Sequence, residues 1–211
     1  MKISLPITKQ RISSHFMYGW WQYVLLVVIA VFTFNILYTT TKYRSPEHLV
    51  VEWYYEGGLL EENEKKVSTY LETVKQNKLS SMEVVELIPT VLDDTYGSMQ
   101  LMTWVSGGQG DLFQLTPTYF KQLASTSAVI DLQPYIDNGS LQVQGISLEN
   151  GYVTETETGN VYLKGIPTDQ LTSLSEYGIA NKKMFLSVLA NGGNVDNTII
   201  LLNELIRTMK Q

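Results

Sequence analysis

Cysteine is absent from all 211 residues. That excludes disulfides, thiolate metal ligands, a cysteine nucleophile and a lipid-modified N-terminal cysteine. Histidine is scarce too, with only His15 and His48, so histidine-centred catalysis has little to work with. Charged residues make up 17% of the chain against 44% hydrophobic. Such a chain is too apolar to stay disordered and can build a sizeable core.

The few charges are divided. Residues 1–46 hold five bases and no acid, while residues 47–211 hold all 21 acids and ten bases. The second part therefore carries −11 against a chain total of −6. A domain this acidic repels nucleic acid and anionic lipid heads, so nucleic acid is excluded as a partner.

Between Arg11 and Lys42 no Asp, Glu, Lys or Arg occurs. Trp20 to Tyr38 is a run of 19 residues, which as a helix at ~1.5 Å per residue covers about 28 Å, close to the hydrocarbon thickness. Trp20, Trp21 and Tyr23 stand at one end and Tyr38 and Tyr43 at the other, as the two water interfaces prefer. The run has no polar face, which argues against a buried core helix. Its exit, ILYTTTKYRS, lacks the small-x-small pattern of a cleaved signal. We expect an uncleaved anchor in the lipid bilayer: a cytoplasmic tail over 1–19, a transmembrane helix over 20–40, a linker over 41–48, and a domain over 49–211 outside the cell. The basic residues on the two sides leave a narrow margin for that orientation.

The domain alternates in texture. Leu49–Tyr55 and Met82–Ile88 read as strands, the second stopped by Pro89. Glu61–Asn77 reads as a helix with Val67, Tyr70, Leu71 and Val74 on one face. Asp93 or Asp94 is expected to cap a helix to Ser106, with Met99, Leu101, Met102 and Val105 inward. Asp111–Leu115 is a third strand. Thr116-Pro117 is an N-cap with proline at the first helical position. Tyr152–Thr154 and Val161–Leu163 form a hairpin, Lys183–Ala190 is a strand, and Val195–Met209 is the last helix. The fold class is α/β, with a mainly parallel, mixed sheet flanked by helices.

Three stretches carry a resemblance: the strand-helix-strand-helix opening from Leu49 to Ser106, GDLFQLTPTYFKQLASTSAVIDLQPYI from Gly110 to Ile136, and FLSVLANGGNVDNTIILLNELI from Phe185 to Ile206. In their order they resemble an extracytoplasmic solute-binding protein of ABC transport, in the sugar-binding branch. The resemblance covers most of residues 49–206. Asp111, Phe120, Leu123, Asp131, Leu132 and Ile136 occupy recurring positions. The family usually has two lobes. Here only about twenty residues separate Pro167 from Phe185, so a single lobe is expected. The resemblance implies a small solute such as a sugar, and a transporter permease or another membrane protein, as partners. A module that kept the fold and lost the ligand is the alternative.

Ligands of open α/β sheets gather outside the carboxyl ends of strands. Tyr55, Glu56, Thr90, Thr116, Thr168 and Asp169 fall there and are the candidate ligand-binding residues, each set against an ordinary role in a turn, a helix cap or the sheet edge. Trp53 and Trp104 read as core. Gly107-Gly108-Gln109-Gly110 lacks the Lys-Ser/Thr of a phosphate loop and reads as a turn. Glu61, Glu62 and Glu64 do not converge from one helix and read as a solvated face. No metal, no cofactor and no catalytic residue is expected, since no serine is paired with a base.

Overall fold

The computed structural model describes residues 9–210. The chain divides between Arg44 and Ser45 into two compact units, inside the expected linker. The first unit contains one helix, α1 (Lys9–Thr41). Within Gly19–Thr41 an 18-residue window has a mean hydropathy of 2.1, and none of that window is buried by protein. By length and composition this helix can cross a membrane. It starts at Lys9, well before Trp20, so part of the expected tail is helical; residues 1–8 of that tail lie outside the described residues. At its far end Thr39, Thr40 and Thr41 turn their hydroxyls back onto the carbonyls of Asn35, Ile36 and Leu37. Such back-bonding to the preceding turn is how threonine hydroxyls find a partner within a helix.

The second unit is a mixed α/β domain. Its strands are β1 (Val50–Glu56), β2 (Val84–Thr90), β3 (Leu112–Leu115), β4 (Tyr152–Thr154), β5 (Val161–Leu163), β6 (Ile166–Pro167) and β7 (Phe185–Val188). Its helices are α2 (Glu61–Lys78), α3 (Gly97–Ser106), α4 (Pro117–Ala124), α5 (Gln133–Asp137) and α6 (Val195–Met209). The main sheet has the order β2-β1-β3-β7-β6, and β4 pairs with β5 as a separate hairpin. β1 runs parallel to both β2 and β3. β7 runs antiparallel to β3 and to β6. The carboxyl ends of β1, β2, β3 and β6 therefore share one edge, and β7 starts there.

Alternation along β1 decides the two cores. Val51, Trp53 and Tyr55 point to one face and pack with Val67, Leu71 and Val74 of α2 and with α6. Tyr54 points to the other face and joins Phe113, Phe120, Leu123 and Phe185. There the rings of Phe120 and Phe185 lie 4.2 Å apart and nearly parallel. Trp53 is fully buried, as a core residue.

Three local expectations change. β2 does not stop at Pro89 but continues to Thr90. The Thr90 carbonyl accepts the Gly57 N–H, so Thr90 faces β1 and Pro89 turns its nitrogen to the open edge. A missing donor costs nothing there. α3 begins at Gly97, and the Asp93 carboxylate receives the N–H groups of Thr95 and Tyr96 just before it, both at 2.7 Å. Gly97, Leu101 and Val105, spaced by four, are its buried line, while Met99 is 69% exposed. Met99 sits about 200° around the helix from Leu101, on the far side.

Candidate functional site

The carboxyl edge brings the six sequence-chosen residues into two linked groups. Glu56, at the end of β1, accepts the Thr116 N–H at 2.6 Å and the Thr116 hydroxyl at 3.0 Å. Thr116 precedes α4 at the N-cap position, but its hydroxyl makes no cap bond. Thr90 donates its hydroxyl to the Tyr55 carbonyl at 3.2 Å. Tyr55 is buried, and its phenol oxygen accepts the Ala180 N–H at 2.9 Å. Gln114 donates to the Ala180 carbonyl at 2.8 Å. Tyr55 and Gln114 thus hold the same peptide segment from two adjacent strands.

The second group sits where β6 ends. Thr168 is fully buried and donates to the carbonyls of Asn181 and Met184, at 2.8 and 3.1 Å. Asp169 is exposed, and its carboxylate accepts the Lys183 N–H at 3.1 Å. Lys183 has a φ of 54°, a left-handed conformation that a long side chain seldom adopts. The segment from Ala180 to Met184 touches both groups and leads into β7. The chain between Pro167 and Phe185 therefore folds back onto the edge. The polar groups of all six residues make internal hydrogen bonds, and of the six only Asp169 is exposed. Leu60 and Val91, just beyond the ends of neighbouring strands β1 and β2, are 74% and 75% exposed.

The opposite edge holds a cavity that sequence reasoning passed over. It measures about 590 Å³ and is lined by Glu52, Tyr54, the glycine turn 107–110, Asp111 and Asn191, among others. The Asp111 carboxylate accepts the Glu52 N–H at 2.9 Å, and the Glu52 carboxylate accepts the Gly110 N–H at 3.1 Å. Gly110 has a φ of +82°, and a Cβ there would fall 2.7 Å from the Tyr54 ring, so the turn requires glycine. Burial raises the Glu52 pKa; the Gly110 N–H opposes the rise, and the charges of Asp111, Glu86 and Glu47 add to it. Burial likewise raises Asp111, against the N–H groups of Glu52 and Asn194. Tyr54 is pushed up to about 12, first by burial and then by the Glu52 charge. Among the described residues neither carboxylate has an ion-pair partner, and no group of three metal-ligating side chains stands together. The signal for this cavity was Glu52 itself, a lone acid inside the apolar strand VVEWYYE.

A third polar feature pins the hairpin. Lys164, buried, donates to Glu155 at 3.0 Å and to the Val129 carbonyl at 2.7 Å. Lys164 holds the Glu155 carboxyl below its ordinary range. Asp131, one of the recurring positions, accepts the N–H groups of Gln133 and Leu163 and ties the start of α5 to β5.

No family model and no curated protein matches the chain. Solved structures of similar shape include an extracellular solute-binding protein, family 1, of Alicyclobacillus acidocaldarius. It has 17% identity and a TM-score of 0.40, over 59% of this chain and 29% of that one. A designed esterase improved by directed evolution has 18% identity and a TM-score of 0.41, over 57% and 28%. Maltose-bound MalE3 of T. maritima has 19% identity and a TM-score of 0.38, over 62% and 33%. The matched part spans a third or less of each of those chains. At such similarity none of them bears on what this chain binds.

Proposed function

We propose that the protein is a membrane-anchored, extracytoplasmic binding lobe of the solute-binding kind, serving ABC-type transport, with a sugar as the solute class and no catalysis. The observation that carries this reading is the shared edge: β1, β2, β3 and β6 all deliver their carboxyl ends to it. That is where open α/β sheets take ligands. The order of the sequence motifs over residues 49–206 supports the same family, and α1 supports the anchor. Outside the cell is the orientation that agrees with Lys2, Lys9 and Arg11 preceding the apolar run from Trp20 to Tyr38, and with an acidic domain free of cysteine.

A second reading is favoured by a specific observation. Glu56, Thr116, Tyr55 and Thr168 are already bonded within the domain, while Leu60 and Val91 stand exposed beside them. That edge suits an apolar protein surface better than a hydroxyl-rich solute. The lobe is then an interaction module of a membrane assembly.

Thermal melting of the full chain in detergent with a panel of sugars and peptides separates the two. A true solute at a hundredfold excess over its Kd adds about 2.7 kcal/mol, a shift of several degrees for a domain of this size. No shift with any solute, together with co-purification of a permease, selects the second reading. Protease treatment of intact cells tests orientation: a domain cut only after lysis is not external.

A further inference from the structure

β2 is an edge strand of the main sheet. On its inner side it pairs with β1 along its whole length. The Thr90 carbonyl accepts the Gly57 N–H, so by alternation Ile88 and Glu86 also bond inward. Val85, Leu87 and Pro89 then direct their backbone groups to the open side. That side is closed at both ends. Pro89 has no N–H to offer, and the Glu83 carbonyl accepts the Lys75 ammonium at 3.3 Å. Between these stops the N–H and C=O groups of Val85 and Leu87 have no partner among the described residues. The side chains beside this window differ by face. Val85 and Leu87 lie on the α2 side, where β2 and α2 enclose a groove of about 240 Å³ with Glu64 and Ser68 on its helix wall. Glu86 is exposed on the other face, opposite Glu52 of β1. Among the described residues neither Glu64 nor Glu86 has an ion-pair partner, while the lysines of α2 are already paired with other acids.

We infer that this window takes a short extended segment of a partner protein, added antiparallel to β2, with a Lys or Arg opposite Glu86 and an apolar residue on each side of it. Unpaired strand backbone selects an extended chain, since a strand returns N–H and C=O groups at the spacing of Val85 and Leu87. Antiparallel pairing gives each of them both bonds from a single residue, so three partner residues fill the window. The two apolar side chains then point into the groove beside α2, and the basic one points to Glu86. Charge and register exclude a second copy of β2. Pairing Val85 with Leu87 of the other copy sets Glu86 directly against Glu86, like charges where side chains come closest. Centring the pair on Leu87 opposes Val85 to Pro89, which lacks the donor. Centring it on Val85 opposes Leu87 to Glu83, whose carbonyl Lys75 holds. A Lys or Arg opposite Glu86 turns the same contact into attraction, with the Glu52 charge one strand further in. The window runs along the side of the sheet, so it takes its segment whatever the carboxyl edge binds.

The probe is a capped pentapeptide, Thr-Val-Lys-Val-Thr, added to the full chain in detergent while amide hydrogen exchange is followed. Exchange at Val85 and Leu87 is expected to slow about tenfold at roughly nine times the peptide's Kd, with the rest of the domain unchanged. Methylating the two valine nitrogens removes the donors that meet Val85 and Leu87, and is expected to abolish the slowing. Replacing the peptide's lysine by glutamate is expected to weaken binding about fivefold. Glu86→Lys, a change at an exposed side chain, is expected to reverse that preference. No slowing at millimolar peptide would overturn the pairing. So would equal binding of the methylated peptide, or an unchanged preference in Glu86→Lys. Slowing at Val85 and Leu87 that grows with protein concentration, in samples without peptide, would give the window to a second copy.

Discussion

Glu56 receives both the backbone N–H and the hydroxyl of Thr116, at 2.6 and 3.0 Å, across the carboxyl ends of β1 and β3. One carboxylate therefore joins two parallel strands at the point where the chain turns into α4. Hydrogen bonds to a charged group contribute about 1.5–3 kcal/mol. Glu56→Ala is expected to lose that amount in a urea titration, and Glu56→Gln to lose less. An unchanged midpoint for Glu56→Ala would release this carboxylate from its structural role and return it to the ligand side.

The amino-edge cavity sets a pH dependence. Glu52 and Asp111 are both raised above their ordinary values of 4.5 and 3.8. The folded state then holds their protons more tightly than the unfolded chain does, so these two groups add stability as pH falls through their raised values. The melting temperature is expected to rise from pH 7 toward pH 5. Glu52→Gln should be more stable than the parent at pH 7 and should flatten the rise. A parent that melts lower at pH 5 than at pH 7 would contradict this. Glu155 works in the opposite sense: its lowered pKa gives stability that is present above the ordinary 4.5 and lost only in stronger acid.

The buried pair of Lys164 and Glu155, 3.0 Å apart with both side chains almost fully covered, should behave non-additively. Removing one partner leaves the other buried without compensation. Glu155→Gln and Lys164→Met are each expected to lower the melting temperature. The double variant should recover much of the loss. Additive losses would show that the two groups do not depend on each other.

Leu71 is fully buried on α2 against the Trp53 face. Leu71→Ala is expected to cost about 2–5 kcal/mol by lost transfer energy and a residual cavity, measured by denaturant unfolding of the full chain. Met99→Ala, on an exposed part of α3, should change stability by no more than about 0.5 kcal/mol.

The anchor is tested by charge. Arginine at the centre of a membrane helix costs about 2.5–3.5 kcal/mol. Leu26→Arg with Ile29→Arg is expected to move the chain from the alkaline-carbonate pellet to the supernatant. A parent chain already in the supernatant would refute the anchor.

What the sequence by itself determined is local or periodic. The apolar run of α1, the stripe of Val67, Leu71 and Val74, the alternation of β1, and the bounds of α6 all follow from side chains repeating at the spacing of one backbone geometry. The chosen edge residues also follow, because strand ends are local features. Tertiary structure decided what no spacing encodes: that β7 enters antiparallel, that Pro89 is harmless on an open edge, and that Glu56 meets Thr116 while Tyr55 meets Ala180, 125 residues away. It also decided that Glu52 and Asp111 share a cavity and that the charge-poor helices α3 and α4 gather on one side of the sheet. Those relations depend on which strands become neighbours, and pairing across the chain is set by packing the whole core at once.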